Sequence, residues 1–258
     1  MNETGRIQAI ERAVFILNQF SANTISLKFV DIVKRTNLNK STVFNIIDTL
    51  KYFGLLYQDD ETKKYMLGVK LIELGEIARE SINIVKIARR YMVSIRDEVN
   101  ETVQLAKLEN GNTIYLDKVE SSHHLHTYTQ RGTIIPAYAT GLGKVMLAYA
   151  NLEYIHKYFG ENLHAFTKNT ISTRKELEIE LDKIRETGIA YDNEEYAYGL
   201  VCYSAPIFSF DGKVKYAISV SMPIIRVNED FKRHITDLIK EKALKISMEI
   251  GYKKENNL

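Results

Sequence analysis

The single cysteine of the chain, Cys202, lies in the apolar run YGLVCYSAPIF, shortly after Asp192. A thiol and a carboxyl group suit a nucleophile, a zinc site or a ligand pocket. A thiolate nucleophile needs a neighbouring base or cation, which this run lacks, and a redox pair needs a second cysteine. Zinc would need histidines, which SSHHLHTY supplies as His123, His124 and His126, but such a cluster is more typical of a surface strand. We therefore favour a pocket wall for Cys202 and keep a zinc ligand as the alternative.

Small polar side chains share one face of two predicted strands. In KYAISVSMP, Ser219 and Ser221 alternate with bulky apolar residues, and in VCYSAPI, Cys202 and Ser204 share a face. Bulky side chains fill a core, whereas small polar ones leave space and offer hydrogen bonds. The two strands therefore predict a wall of a ligand pocket.

A predicted helix in TGLGKVMLAYA begins at Gly141 and Leu142. Backbone N–H groups at the start of a helix favour an anion such as a carboxylate. The start of this helix therefore predicts an anion site beside the two strands.

The first part of the chain predicts helices. In GRIQAIERAVFILNQF, apolar residues recur at helical spacing and are expected in the core: Ile7, Ile10, Val14, Leu17 and Phe20. Ser26 is expected to cap a second helix. A third helix runs from Asn39 or Lys40 to Gly54 and buries Phe53. LLYQDDETKKYMLG predicts a β-hairpin with its tip at residues 59–64. Helix, turn, helix and hairpin in this order are typical of a winged helix-turn-helix.

The outward face of the third helix carries groups that suit DNA. Short or charged donors at its N-terminus favour phosphate contact, and two lysines at the hairpin tip can reach the neighbouring backbone. Asn45 can read an adenine edge and Phe44 a thymine methyl group, although an exposed phenylalanine also suits a protein interface. The predicted DNA-contacting residues are Lys40, Ser41, Thr42, Phe44, Asn45, Lys63 and Lys64.

The rest of the chain predicts a helical connector and an α+β domain. Asn83 can cap a second segment of the long helical stretch. TVQLAKLENGNTIYLDKVE predicts a hairpin that turns at residues 110–112, and HHLHTYTQRG a third strand. STRKELEIELDKIRETG predicts an amphipathic helix that ends at Gly188. The strands IAYD, VCYSAPIF and KVKYAISVSMPI and a closing helix complete a largely antiparallel sheet domain.

These segments resemble the IclR family of transcriptional regulators. LNKSTVFNIIDTLKYFGLL and YMLGVKLIELG are similar to its DNA-binding half, and TGLGKVMLA, GIAYDNEEYAYGLVCYSAPIF and AISVSMP to its effector-binding half. The resemblance implies a winged helix-turn-helix at residues 1–68, a helical linker at 69–83 and a GAF-like effector domain at 84–258. It also implies homodimers or tetramers on operator DNA. The effector residues that it implies, around a small organic acid, are Gly141, Leu142, Asp192, Cys202, Ser219 and Ser221. Asp192 would repel an anion at close range, so we expect it to accept a hydrogen bond from a ligand hydroxyl or to be neutralised.

One residue of the third helix departs from the family pattern. The family commonly has an arginine where this chain has Asn45. Arginine favours guanine and asparagine favours adenine, so the operator sequence of a relative does not transfer to this chain.

Composition limits the function further. The 258 residues carry a net charge of only +2, so DNA binding must come from a local patch. We expect no signal peptide, no membrane span and a cytoplasmic location. The favoured function is a ligand-responsive transcriptional regulator that senses a small organic acid or sugar acid and requires no cofactor. Two alternatives stay open: an enzyme that uses Asp192, Cys202 and Ser219, for which no catalytic motif is present, and a DNA-binding protein whose second domain only oligomerises.

Overall fold

The computed structural model describes residues 6–21, 23–81, 83–123 and 129–253. The chain divides into two compact units, residues 1–82 and residues 83–258. Among the described residues, no helix combines the length and the apolar character that crossing a lipid bilayer requires. Each unit has its own hydrophobic core, as described below.

Unit 1 is a helical unit with a two-stranded antiparallel hairpin. Its elements are α1 (Gln8–Leu17), α2 (Phe29–Thr36), α3 (Lys40–Tyr52), β1 (Leu56–Gln58), β2 (Tyr65–Leu67) and α4 (Lys70–Ser81). Asn37 adopts a left-handed conformation (φ 52°) in the turn between α2 and α3. Gly54 has φ +69° directly after the C-cap of α3, a conformation that glycine adopts without steric cost. The order of elements is therefore that of a winged helix-turn-helix, as predicted.

The core of unit 1 differs from the predicted one in α1. Leu17 and Phe20 pack into the core as expected, together with Ile16, which is fully buried. Ile7, Ile10 and Val14, by contrast, are about half or more exposed, so their predicted burial is wrong. The helix turns its Ile16 side toward the rest of unit 1, and the apolar residues of its first turns lie on another face.

Two further details of unit 1 correct the predictions. Helix α2 begins at Phe29 rather than after Ser26. The reason is that Leu27 forms a β-bridge with Tyr65 of the β1–β2 hairpin, which is the wing of the motif, with N···O distances of 3.0 and 2.8 Å. Phe53 is 61% exposed, since it is the C-cap of α3, and Leu56 of the wing is buried instead.

Unit 2 is a six-stranded antiparallel sheet with helices on both faces. Its elements are α5 (Ile84–Val99), β3 (Thr102–Glu109), β4 (Asn112–Val119), β5 (Ile134–Pro136), α6 (Gly141–Leu147), α7 (Leu152–Tyr158), α8 (Arg174–Thr187), β6 (Ala190–Asn193), β7 (Leu200–Phe208), β8 (Val214–Pro223) and α9 (Glu229–Glu249). The strand order is β5-β4-β3-β8-β7-β6. Helices α5 and α9 cover one face, and α6 and α8 cover the other. The α+β prediction is confirmed.

Several local predictions for unit 2 hold. Asn83 caps α5 by accepting a hydrogen bond from the Lys86 N–H at 3.0 Å. Asn110 and Gly111 both have positive φ, as the tight turn between β3 and β4 requires. Gly188 ends α8 with φ 69°.

The strand predicted from HHLHTYTQRG lies partly outside the described residues, since residues 124–128 are not among them. Residues 129–132 form no strand, so the prediction is wrong for this end of the segment. A turn around Gly132, which has φ 82°, leads into the edge strand β5, which begins at Ile134 and pairs with β4.

Candidate functional site

Helix α3 presents its predicted DNA-contacting face to solvent. Val43, Ile47 and Leu50 are buried on the opposite side, so this helix is held by its apolar stripe. On the outward face, four predicted residues are exposed and one is half-buried: Lys40, Ser41, Phe44 and Asn45 are exposed, and Thr42 is half-buried. The side chain of the N-cap residue Asn39 makes no cap hydrogen bond, which leaves the first N–H groups of α3 for an outside acceptor such as a phosphate.

Phe44 has a defined position on this surface. Its ring is 59% exposed and meets the ring of Phe29 edge to face, with 6.5 Å between the centroids. The α2 side chain therefore supports the exposed ring from beneath, in a geometry that aromatic pairs favour.

Hydrogen bonds to the Asp59 carboxylate stabilise the tip of the wing. Its carboxylate accepts hydrogen bonds from the N–H of Thr62 at 2.7 Å and from the hydroxyl of the same residue at 2.6 Å. The Thr62 side-chain hydrogen bond is the main reason why the pKa of Asp59 lies below its usual value. Lys63 is exposed at this tip and Lys64 is half-buried, beside three acidic residues at positions 59–61. The two predicted lysines are therefore present at a tip that also carries negative charge.

The second candidate site is an internal cavity of unit 2. Five of the six predicted effector residues line it, and Ser221 lies directly behind. The lining residues are Gln104, Tyr115, Thr129, Ile135, Thr140, Gly141, Leu142, Asp192, Tyr196, Leu200, Cys202 and Ser219. The cavity volume is about 20 Å³, roughly the space of one water molecule, whereas ligand pockets usually measure hundreds of Å³. An organic acid would therefore enter only if part of the wall moved.

Gln104 of β3 connects two serines of β8 with Thr129. The hydroxyl groups of Ser219 and Ser221 lie 3.3 and 2.9 Å from its Oε1, and its Nε2 donates to Thr129 Oγ1. The Ser221 hydroxyl also lies 3.1 Å from Cys202 Sγ. The antiparallel register explains the cluster, because Gln104 pairs with Ser219 and Cys202 pairs with Ser221. Gln104 was not among the predicted site residues, although a glutamine within an apolar strand was the available signal.

Cys202 is buried among groups that keep its thiol protonated. Burial raises the pKa of this thiol well above its usual value, and the nearby Asp192 carboxylate raises it further. A thiolate nucleophile would need the opposite environment. The surroundings agree with the predicted role of a pocket wall.

Asp192 is a buried carboxyl group at the cavity. Burial, helped by the neighbouring Glu195, raises its pKa to about 7, and Lys144 acts in the opposite direction. Its Oδ1 accepts a hydrogen bond from the Glu195 N–H at 2.9 Å. The backbone N–H of Gly141 is close enough to act on the Asp192 carboxyl group, and it lowers the pKa of that group as Lys144 does. Asp192 therefore lies where a ligand carboxylate would approach the start of α6. Such a ligand would bind there only if the carboxyl group of Asp192 were neutral or displaced.

Lys144 is the buried cation of this region. It is 1% exposed, and its Nζ donates to Glu195 Oε1 at 2.5 Å and to the Tyr191 carbonyl at 2.8 Å. Burial raises the pKa of Glu195, while the Lys144 ammonium lowers it. Lys144 and Glu195 were not among the predicted site residues, and the available signal was a lysine within the otherwise apolar GLGKVMLA.

Gly141 allows α6 to lie close to the strands. A Cβ atom at this position would stand 2.7 Å from Ser204 Oγ and 3.4 Å from Asp192 Cβ. Thr140 caps the helix by accepting from the Gly143 N–H at 2.9 Å. This close approach places the start of α6 beside Asp192. Gly141 and Asp192 were both predicted as effector residues.

The described residues offer no zinc-binding cluster for the alternative role of Cys202. Among them, no group of three His, Cys, Asp or Glu side chains has a geometry that could hold a metal ion. His124 and His126 lie outside the described residues, and His123 contacts Asn100. A zinc role that depends on His124 or His126 therefore remains an open alternative.

The fold defines a class of protein: a DNA-binding regulator with a winged helix-turn-helix unit followed by an α+β unit. Two family models match the chain, "IclR helix-turn-helix domain" over residues 9–60 and "Bacterial transcriptional regulator IclR C-terminal" over residues 77–248. The chain belongs to the IclR family of bacterial transcriptional regulators.

Individual relatives agree with this assignment. The chain is 31% identical to the transcriptional regulator KdgR of Dickeya chrysanthemi over 240 residues, which covers 93% of this chain and 79% of KdgR. It is also 31% identical to the regulator XynR of Escherichia coli over 247 residues, covering 95% and 98% of the two chains. The crystal structure of the Thermotoga maritima IclR protein shares 30% identity and a TM-score of 0.64, covering 96% and 100%. A structure from Silicibacter has a TM-score of 0.81 at 22% identity, covering 97% and 98%, and supports the fold.

Proposed function

We propose that this regulator binds an operator through α3 and the wing, and that the cavity of unit 2 takes a small organic acid or sugar acid that controls this binding. The observation that carries the proposal is the convergence of Gly141, Asp192, Cys202 and Ser219 on one internal cavity. These groups come from a helix start and three strands, and a purely structural core would fill such a place with apolar side chains.

The chemistry of the lining favours a ligand with both hydroxyl and carboxyl groups. Gln104 and the strand serines offer hydrogen-bonding partners, and Asp192 accepts a hydrogen bond from a ligand hydroxyl when it is ionised. When Asp192 is protonated, it tolerates a carboxylate nearby and can donate to it. A pKa of about 7 makes both states accessible near neutral pH.

The enzyme alternative has less support. The thiol of Cys202 is held protonated by burial, and the Ser219 hydroxyl lies against the Gln104 amide oxygen rather than a base. The relatives described above are transcriptional regulators. We therefore favour regulation over turnover, with a homodimer or tetramer as the DNA-binding form because operator half-sites need two copies.

Calorimetric titration of the full chain with a panel of small keto and hydroxy acids tests the ligand. We expect binding of at least one acid, which Cys202→Ser weakens only slightly and Ser219→Leu blocks by filling the cavity. Both variants should still bind the operator, selected beforehand from a random DNA library. No heat from any acid would favour the alternative in which the second domain only oligomerises. Binding that a chelator removes and zinc restores would make Cys202 a metal ligand.

A further inference from the structure

A second concave feature of unit 2 lies between α5, the end of β4 and the turn at residues 129–131. This groove measures about 480 Å³, which falls within the range of small-molecule sites. Four basic side chains line it: Arg89, Arg96, Lys118 and Arg131. The groove adjoins the effector cavity, since Thr129 lines both, but it shares no other described residue with that cavity.

Two arginines of the groove meet over one buried carboxylate. Asp117 is fully buried, and Arg89 Nη1 donates to its two oxygens at 3.0 and 2.8 Å. Arg131 Nη2 lies 2.5 Å from Asp117 Oδ1. One carboxylate neutralises only one of the two guanidinium groups, and each guanidinium carries more donors than Asp117 accepts. The arrangement therefore keeps a net positive charge, with N–H groups held in a fixed fork geometry.

The turn that carries Arg131 is tied to the sheet. The Gly132 N–H donates to the Tyr115 carbonyl at 2.8 Å, and the Tyr115 N–H donates to the Thr133 carbonyl at 3.1 Å. The Thr133 hydroxyl accepts from the Gln130 N–H at 3.0 Å. The backbone around Arg131 is therefore held by hydrogen bonds before a ligand binds. Binding through Arg131 would then need little further ordering of the loop.

The other two cations pair with exposed carboxylates. Arg96 Nε lies 2.7 Å from Asp97, and Lys118 Nζ lies 2.9 Å from Glu120. The carboxylate side chains are 60% and 58% exposed, whereas those of Arg96 and Lys118 are 31% and 11% exposed. Because the carboxylates face water, a ligand anion can compete with them for the two cations.

We propose that this groove is a second small-molecule site, which binds the phosphate or carboxylate groups of a small polyanion. Four cations from a helix, a strand and a turn converge on it, and the three carboxylates described above leave one positive charge in excess. Guanidinium groups recognise both phosphate and carboxylate through paired hydrogen bonds. The concave shape fits a small molecule better than the backbone of duplex DNA, which needs a long open surface.

The test is calorimetric titration of the full chain with pyrophosphate and with citrate at constant ionic strength. We expect at least one of them to bind, and Arg131→Gln to weaken binding about tenfold or more, because a charge-assisted hydrogen bond is lost. Arg131 is largely exposed and Asp117 keeps Arg89, so this variant should fold; Arg96→Gln, on a different element, should weaken binding independently. Tighter pyrophosphate binding would indicate a phosphorylated ligand, and tighter citrate binding a polycarboxylate.

The matched control is Lys175→Gln, which removes one exposed positive charge from α8. Equal weakening by Lys175→Gln and Arg131→Gln would reduce the effect to general charge attraction and overturn the proposal. Absence of binding by both anions would do the same. Ser219→Leu overpacks a fully buried position, so its urea unfolding curve is measured first. The folded variant should keep anion binding at the groove, and loss of binding in the folded variant would place the anion in the effector cavity and overturn the proposal. The result does not depend on whether any acid binds the cavity.

DNA is the competing occupant. Arg131→Gln should leave the affinity of the protein for random duplex DNA, and the salt dependence of that affinity, unchanged. A fall of about one in the salt slope would show a phosphate contact with DNA at this groove and would contradict a small-molecule site.

Discussion

The recognition surface of α3 and the cavity of unit 2 use polar residues in opposite ways. On α3, Lys40, Ser41 and Asn45 face solvent, while a separate apolar stripe holds the helix in place. In the cavity, Asp192, Ser219 and Gln104 are almost fully buried and also belong to the packing of the sheet. The difference teaches that DNA contacts can change without a large cost in folding free energy, whereas the cavity residues support both the ligand site and the fold.

Replacing Lys144 should show the largest effect. Lys144→Met removes the buried cation and leaves Glu195 and Asp192 without it, which typically costs about 3–5 kcal/mol of unfolding free energy. Urea unfolding measures this loss at neutral pH. Part of it should return at acidic pH, where the carboxyl groups become protonated. A variant as stable as the wild type at pH 7 would refute the importance of the buried cation.

The stability of unit 2 should depend on pH through Asp192. Its pKa is about 7 in the folded protein and 3.8 by reference, so the folded state binds the proton more tightly. The contribution of this group is therefore favourable at low pH and is lost as pH rises from about 4 to about 7, by roughly 4 kcal/mol at most. Asp192→Asn should flatten the unfolding free energy across this window. The exposed Asp237→Asn on α9 serves as the control and should leave the profile unchanged.

A methyl group at Gly141 should disturb the cavity through packing alone. The added Cβ of Gly141→Ala would overlap Ser204 Oγ at 2.7 Å, and such overpacking costs about 1–3 kcal/mol. Acid binding should weaken in the same variant, because α6 must move away from Asp192. Gly75→Ala in α4 is the matched control: its Cβ meets nothing within 4 Å, and alanine favours a helix. If both variants had the same stability, the close approach at Gly141 would not matter.

Changes on α3 should affect DNA affinity and leave stability nearly untouched. Asn45→Ala should cost about 1–3 kcal/mol of operator binding and relax specificity at one base pair. Lys40→Ala should instead weaken all DNA sequences alike and reduce the salt dependence. Fluorescence anisotropy with operator and random duplexes separates these outcomes. If Asn45→Ala left both DNA affinity and sequence preference unchanged, the placement of α3 in the major groove would be wrong. If it lowered the unfolding free energy strongly, the difference between α3 and the cavity would not hold.

Local patterns predicted most of the secondary structure, but failed where tertiary contacts competed. The turn at Asn110 and Gly111 and the cap at Asn83 depend on residues close in sequence, and both were predicted. The start of α2 was not, because Leu27 pairs with Tyr65 of the wing, far along the chain. Ile7 and Ile10 follow a helical period, but periodicity does not reveal which face of α1 meets the core.

The sequence by itself determined the α+β class, the winged helix-turn-helix, the outward face of α3 and five residues that line the cavity. Turn chemistry and helical spacing predicted the winged helix-turn-helix, and alternating side chains placed Cys202 and Ser219 on the polar faces of their strands. Asp192 was assigned to the site by the resemblance to the IclR family. Only the tertiary structure decided that Gln104 links Ser219 to Ser221, that Lys144 and Glu195 lie behind Asp192, and that the cavity is small. Strand register and the packing of α6 on the sheet set these distances, and both arise from contacts between residues far apart in the chain.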